Sequence, residues 1–190
     1  MLKYALGGNF MDKVYDEAKL AKENGAVGIF LRGSECDLLL SDSYFFPLYN
    51  AASRLDLPIC IHSATGSPIL FNYFKYETIG FSKFKLVLLG AFHNMIMDGI
   101  PEHFPRLKVA FLEVSAQWLP YVLSDLAKRY HIQGRELNKQ ALLRESRFYV
   151  GCETNDDLPY IIEHAGALRD QEEEAQDRDA LPAEAHRDGQ

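Results

Sequence analysis

The chain has 190 residues, of which 47% are apolar and 12% aromatic, and its formal net charge is −7. This composition excludes an intrinsically disordered chain, and it lacks the basic excess that nucleic-acid and anionic-lipid binding require. The longest apolar runs reach about eight residues, which is too short for a membrane-spanning helix.

Helix-like and strand-like segments alternate from the N-terminus. Residues 9–25 carry apolar side chains at helical spacing, and Asn9 is placed as an N-cap. An unbroken apolar run of strand length follows at 26–32. The next segment, 41–56, again has apolar residues on one helical face, with Asp42 as its candidate cap. The first third of the chain therefore predicts helix, strand and helix.

The same alternation continues to the end of the patterned region. The remaining predicted elements are, in chain order, a strand at 58–62, a loop at 63–81, a helix over about 83–97, a strand at 107–113, a helix at 116–131, a strand at 147–153 and a helix at 155–166. Strands that are unbroken apolar runs are typical of parallel sheets covered by helices on both faces. The sequence thus predicts the α/β class.

Each predicted strand ends on a charged or titratable side chain. These residues are Arg32, His62, Glu113 and Glu153. In parallel α/β folds the carboxyl ends of all strands lie along one edge, where ligands bind. One polar strand end is ordinary, because strands emerge into solvent there, but four such ends favour a shared site.

The C-terminal segment differs sharply from the body. Residues 169–190 contain eight acidic residues and three arginines, and therefore carry −5 of the net charge. With no aromatic residue, this segment is expected to be a disordered acidic tail, either native or the product of a frame shift. Residues 1–168 are expected to form one domain. The three separated cysteines lack CxxC spacing, which favours a reduced, cytoplasmic protein.

Two longer stretches carry a family resemblance. The segment FPLYNAASRLDLPICIHS, followed by GIPEHFPRLKVAFLEVSAQWLPYVLSDL, resembles the amidohydrolase-related family that includes aminocarboxymuconate-semialdehyde decarboxylase. The similarity spans about residues 14–165. It implies a partial TIM-type (βα)8 barrel of about four βα units, corresponding to barrel strands four to seven. It also implies metal-dependent hydrolysis or decarboxylation of a small substrate, often aromatic or carboxylate-bearing.

The resemblance also implies roles for individual residues. His62 matches the metal-ligand histidine at the end of the fifth barrel strand. Glu113 stands where some members carry a catalytic histidine after the sixth strand and where another branch has glutamate. Trp118 matches a position with a structural or substrate-contact role. Arg32 is a candidate for binding a substrate carboxylate, with a structural ion pair as the alternative. His93 is expected to be structural.

The sequence departs from the family at two points. The family begins its barrel with an HxH pair, and no two of the six histidines here are two positions apart. An aspartate at the end of strand eight is also missing from the patterned region. Since a catalytic zinc site uses three protein ligands, we expect a divalent metal, zinc or alternatively manganese, in the intact enzyme but not tight binding by this chain alone.

A half-barrel also has consequences for assembly. Its inner face and both edge strands lack cover, and exposed edges pair with other chains. We therefore expect a homo-oligomer, or a need for the missing segments in trans. The expected partner is otherwise a small-molecule substrate, with no nucleic acid and no membrane. The rival interpretation is a catalytically inactive half-barrel that serves as an interaction or structural module.

Overall fold

The structure is a computed structural model that describes residues 10–35, 37–73 and 80–166. The proposed cap Asn9 and the predicted acidic tail lie outside the described residues. Four parallel strands form one sheet in the order β1-β2-β3-β4. The strands are β1 (Ile29–Arg32), β2 (Ile59–His62), β3 (Val109–Leu112) and β4 (Phe148–Val150).

Helices connect every pair of neighbouring strands, and a further helix lies before β1 and after β4. The helices are α1 (Phe10–Glu23), α2 (Phe46–Leu55), α3 (Pro68–Tyr73), α4 (Leu86–Met97), α5 (Ile100–His103), α6 (Leu119–Ile132), α7 (Leu142–Ser146) and α8 (Leu158–Ala165). A 3₁₀ turn at Ser43–Phe45 precedes α2, and a π-helical turn at Phe81–Lys85 precedes α4. Repetition of strand, helix and parallel strand confirms the α/β class.

The core lies between the sheet and the helices. Phe92 of α4 contacts Phe111 of β3 and Phe148 of β4, with ring centroids 5.3 and 5.7 Å apart. Between α4 and α6, His93 Nε2 lies 3.1 Å from Asp125 Oδ2, so His93 joins two helices, as expected. Alternate strand residues such as Ile61 have no exposed surface, because the helices cover this side of every strand.

The opposite face of the sheet is open. This corrects the expectation, drawn from the apolar strand runs, that the strands are buried on both faces, and it agrees with the uncovered inner face expected of a half-barrel. Phe30 of β1 and Tyr149 of β4 are 58% and 42% exposed. Cys60 and Ala110, between them, are only partly buried. The apolar residues on this face suit the interior of a closed barrel, whereas four strands close only part of one. This open face is called the inner face below.

Two further differences from the sequence-based expectations concern element boundaries. Residues 63–81 were predicted as a loop, but Pro68–Tyr73 form α3. The strands are shorter than the apolar runs, so Glu113 lies one residue beyond β3 and Glu153 three residues beyond β4. Asp42 caps the 3₁₀ turn by accepting from Tyr44 N, 2.8 Å away. Within the described ranges, each helix is too short or too polar to cross a bilayer.

Candidate active site at the carboxyl edge of the sheet

The two central strands bring His62 and Glu113 together. His62 ends β2 and pairs in register with Leu112, the residue before Glu113. The His62 Nε2 atom lies 2.8 Å from Glu113 Oε2. The Ser63 hydroxyl donates a hydrogen bond of 3.0 Å to the same carboxylate oxygen. Parallel pairing therefore delivers an imidazole and a carboxylate to one point at the carboxyl edge.

The imidazole of His62 belongs to the inner face. Its ring lies 5.5 Å from the ring of Phe30, an exposed inner-face residue of β1. The side chains of His62 and Glu113 are 38% and 64% exposed, so solvent and ligands reach both. The pair faces what would be the mouth of a complete barrel.

Glu113 occupies an unusual backbone conformation. Its φ is 56°, and the φ of Ser115, two residues later, is 63°. The left-handed region costs a non-glycine residue about 1–2 kcal/mol. Such residues persist only where their surroundings hold them, and they cluster at functional sites. The turn after β3 is therefore specified by tertiary contacts.

Asp156 supplies those contacts and was missed from the sequence. One carboxylate oxygen accepts hydrogen bonds from the backbone N–H groups of Ala116 and Glu153, both at 2.8 Å, and the other accepts from the Ser115 hydroxyl. Burial raises the pKa of Asp156, but the hydrogen bonds and nearby Lys85 outweigh it and lower the pKa overall. The carboxylate is thus held ionised between the β3–α6 and β4–α8 loops.

The signal for Asp156 was present but ambiguous. Two aspartates precede the Leu-Pro start of α8, and either one satisfies the rule for a helix cap. The structure divides their tasks: Asp157 accepts from Tyr160 N at 3.2 Å and caps α8, whereas Asp156 binds the neighbouring turn. The assignment depends on the direction of each side chain, which the sequence does not contain.

Arg32 lies beside His62 in the β1–β2 register. Its Nε atom donates a hydrogen bond of 3.0 Å to Glu35 Oε1, and its guanidinium also contacts Glu35 Oε2. The backbone N–H of Arg32 donates to Glu35 Oε1 as well, at 3.0 Å. The alternative of a structural ion pair is thus present in the structure.

Glu153 and Lys85 form a second ion pair at this edge. Lys85 Nζ lies 3.1 Å from Glu153 Oε1, and both side chains are about one-third exposed. Lys85 is the last residue of the π-helical turn, a feature that frequently marks functional sites. Lys85 was not predicted from the sequence, because the π turn was assigned partly to a loop and partly to a regular helix.

Trp118 lies on the other side of this edge, against the helices. Its ring packs 5.1 Å from that of Phe92, and its indole N–H donates to the Ser115 carbonyl at 2.7 Å. This placement favours the structural one of its two proposed roles. Cys152 is exposed as a residue, but its thiol is partly shielded from water. This partial burial and the nearby charge of Asp156 raise the pKa of the thiol, so Cys152 lacks the features of an activated nucleophile.

A divalent metal fits this edge only in part. Nitrogen and oxygen ligands of a tetrahedral zinc ion lie about 3.3 Å apart. His62 Nε2 and Glu113 Oε2 are 2.8 Å apart, a hydrogen-bond distance, so the two atoms would have to separate to share an ion. Across residues 10–35, 37–73 and 80–166, however, no group of three His, Cys, Asp or Glu side chains converges on one point. Two ligands do not make a catalytic metal site, so the described residues do not hold the ion by themselves.

Comparison with solved structures shows similar folds. An amidohydrolase from Mycobacterium avium subsp. paratuberculosis K-10 aligns with a TM-score of 0.67 and 16% identity, over 83% of this chain and 44% of that one. The 5-carboxyvanillate decarboxylase of Novosphingobium aromaticivorans DSM 12444, complexed with manganese and 4-hydroxy-3-methoxy-5-nitrobenzoic acid, aligns with a TM-score of 0.65 and 19% identity. The alignment covers 85% of this chain and 50% of that one. The 2,6-dihydroxybenzoate decarboxylase from Rhizobium aligns with a TM-score of 0.63 and 17% identity, over 83% of this chain and 54% of that one.

No protein-family profile and no curated protein sequence matches the chain. Its resemblance to amidohydrolases and related decarboxylases is confirmed by structure, at the level of the fold. The chain spans about half the length of these solved structures. It is an α/β chain with the fold of about four βα units of an amidohydrolase-type (βα)8 barrel.

Proposed function

We propose that the chain provides one half of the active site of a metal-dependent hydrolase or decarboxylase that acts on a small aromatic carboxylate. The observation that carries the proposal is the approach of His62 Nε2 to Glu113 Oε2, 2.8 Å apart at the carboxyl edge of the sheet. Ligands of (βα)8 barrels bind at this edge. Two solved structures of similar fold are decarboxylases of aromatic acids.

The chemistry of Glu113 suits proton transfer. Decarboxylation replaces a C–C bond by a C–H bond, so the carbon that loses CO₂ must receive a proton. A carboxyl group can store and deliver that proton, which leaves the imidazole of His62 for the metal. The Ser63 hydroxyl, which donates to Glu113 Oε2 at 3.0 Å, helps to fix the direction of the carboxylate. In this proposal Glu113 is the acid/base group or a second ligand.

The metal requires residues that the described part of the chain does not supply. We propose His62 as the ligand that this half contributes, with zinc or manganese as the ion. Support for a divalent ion comes from the manganese in the similar decarboxylase. The remaining ligands would come from the other half of the barrel.

Arg32 is the proposed contact for a substrate carboxylate. Its guanidinium is a half-buried cation one strand away from His62, at the same edge. Guanidinium groups bind carboxylates through two parallel hydrogen bonds, and the Nε and Nη2 atoms of Arg32 already make such a pair with the two carboxylate oxygens of Glu35. A substrate carboxylate would bind the guanidinium together with Glu35, or it would displace Glu35.

The coding DNA on both sides of this reading frame offers the first test. An upstream HxH and a downstream, in-frame or frame-shifted G-S-D would supply the missing ligands. If they are present, the restored enzyme should release CO₂ from an aromatic acid or hydrolyse a related substrate. His62→Ala should abolish the activity, whereas His131→Ala, at a side chain that is 80% exposed on α6, should retain it.

The rival function is an inactive half-barrel used as an interaction module. It predicts a restored protein without activity and without metal, or flanking DNA with neither motif. Either result would contradict the catalytic proposal.

A further inference from the structure

The turn that carries Glu113 contains two residues in an unfavourable backbone conformation. Glu113 and Ser115 both have left-handed φ values, 56° and 63°. Because this conformation is unfavourable for residues with a Cβ atom, the turn needs compensating contacts to keep its shape. Whatever supplies these contacts also determines where the Glu113 side chain points.

Packing does not hold the Glu113 carboxylate in place. Its side chain is 64% exposed, and an ion pair as accessible as that with His62 contributes little to stability. Such a contact is too weak to impose a strained backbone. The direction of the carboxylate therefore follows from the turn.

The strongest contacts of the turn come from the next loop. Asp156 accepts from the Ser115 hydroxyl and from Ala116 N, and its third hydrogen bond, from Glu153 N, anchors it in its own loop. Hydrogen bonds to a charged acceptor are among the stronger ones in proteins, and several together can offset the strain of two left-handed residues. A second link, from Asp157 N to Gln117 Oε1 at 2.9 Å, joins the same two loops.

We propose that Asp156 is a positioning residue that directs the Glu113 carboxylate toward His62 by holding the turn 113–116 in its left-handed conformation. The inference rests on the proposed function, in which His62 and Glu113 form the reactive pair. Asp156 acts through the backbone of the turn, so its removal should disturb the pair without removing either member.

The neighbouring residue provides a matched control. Asp157 is also a loop aspartate that accepts a backbone hydrogen bond, but its carboxylate caps α8 and does not bind the β3–α6 turn. Asp157→Ala should lower the midpoint of urea unfolding, as cap removal does. It should leave the His62–Glu113 contact intact. The two substitutions therefore separate lost stability from lost positioning.

The test compares the ¹⁵N NMR chemical shifts of the His62 imidazole in variants of the full 190-residue chain at one pH. Glu113→Gln is measured first, because it reports how strongly the carboxylate affects the ring. Asp156→Ala should then move the His62 shifts by about as much as Glu113→Gln does, and Asp157→Ala should not. Ser115→Ala, which removes one of the bonds to Asp156, should give a smaller change in the same direction and serves if Asp156→Ala does not fold.

Coupling between the two sites gives the decisive comparison. In the Asp156→Ala or Ser115→Ala background, adding Glu113→Gln should change the His62 shifts less than it does in the parent chain. Asp156→Asn should restore part of the parent spectrum, since one amide oxygen can still accept from the two N–H groups. If Glu113→Gln moves the His62 signals but neither Asp156→Ala nor Ser115→Ala does, the positioning role is wrong. If Glu113→Gln itself has no effect, the pair and with it the proposed site are wrong.

Discussion

The contact between His62 and Glu113 depends on backbone conformations that are each energetically unfavourable. Glu113 adopts a left-handed backbone although it has a Cβ atom, and its side chain is mostly exposed. Natural proteins retain such strain where it serves binding or catalysis. At the scale of single residues, the hydrogen bonds to the carboxylate of Asp156 offset the unfavourable backbone energy of this arrangement.

The pKa of Asp156 predicts how acid affects the fold. Hydrogen bonds lower it below the ordinary value of 3.8, so the ionised carboxylate stabilises the folded chain above that pH. This stabilisation is lost as pH falls through the lowered pKa. Asp156→Asn should cost about 1–2 kcal/mol at neutral pH. The difference from the parent chain should shrink below about pH 4, as measured by urea unfolding at several pH values; a difference that stays constant down to pH 2 would contradict the linkage.

The sequence identified the residues that end strands but not those that connect loops. His62 and Glu113 were found because unbroken apolar runs end on them, and parallel pairing does bring them together. Asp156 and Lys85 were missed, because their importance comes from side-chain directions across loops that are far apart in sequence. The catalytic and metal roles of the predicted residues stay predictions.

At the scale of elements, the position of each strand was predictable but its length was not. The apolar run at 147–153 predicted a strand, and only Phe148–Val150 form it. The left-handed Arg147, which ends α7 with φ 56°, directs the chain into β4. Hydrophobicity shows where a strand is buried, whereas hydrogen bonding to a neighbour determines where it ends.

The left-handed end of α7 gives a prediction about stability. Arg147→Gly should stabilise the chain by about 1 kcal/mol, because glycine adopts positive φ without the Cβ clash. Arg144→Gly, within the same helix, should destabilise it by about the same amount. Urea unfolding at pH 7 measures both changes. Equal destabilisation by the two substitutions would show that the backbone at Arg147 is not left-handed in solution.

At the scale of the whole molecule, the inner face is the most unusual feature. In a closed barrel this face is filled by side chains from all eight strands. Here Phe30 and Tyr149 leave about half of their surface in contact with solvent. The sequence predicted an incomplete barrel through its missing family motifs, and with it an inner face that lacks cover.

We propose that the isolated chain associates with a second copy through the inner face. Four strands in each copy match the eight of a barrel, and both ends of the described sheet lack a paired strand. Tyr149→Glu should shift the chain toward monomer in sedimentation velocity, because it places a charge on the inner face. Tyr121→Glu, at a residue 76% exposed on α6, is the control and should not change the sedimentation of the chain. A parent chain that sediments as a folded monomer would refute this assembly.

Metal binding by the 190-residue chain tests the central claim most directly, because the claim assigns this half of the barrel His62 and Glu113 but no third ligand. Calorimetric titration with Mn²⁺ and Zn²⁺ should show weak binding by the parent chain. His62→Ala should weaken it further, by at least the roughly tenfold loss that follows mutation of groups around a metal site. Tight binding that His62→Ala leaves unchanged would contradict the account.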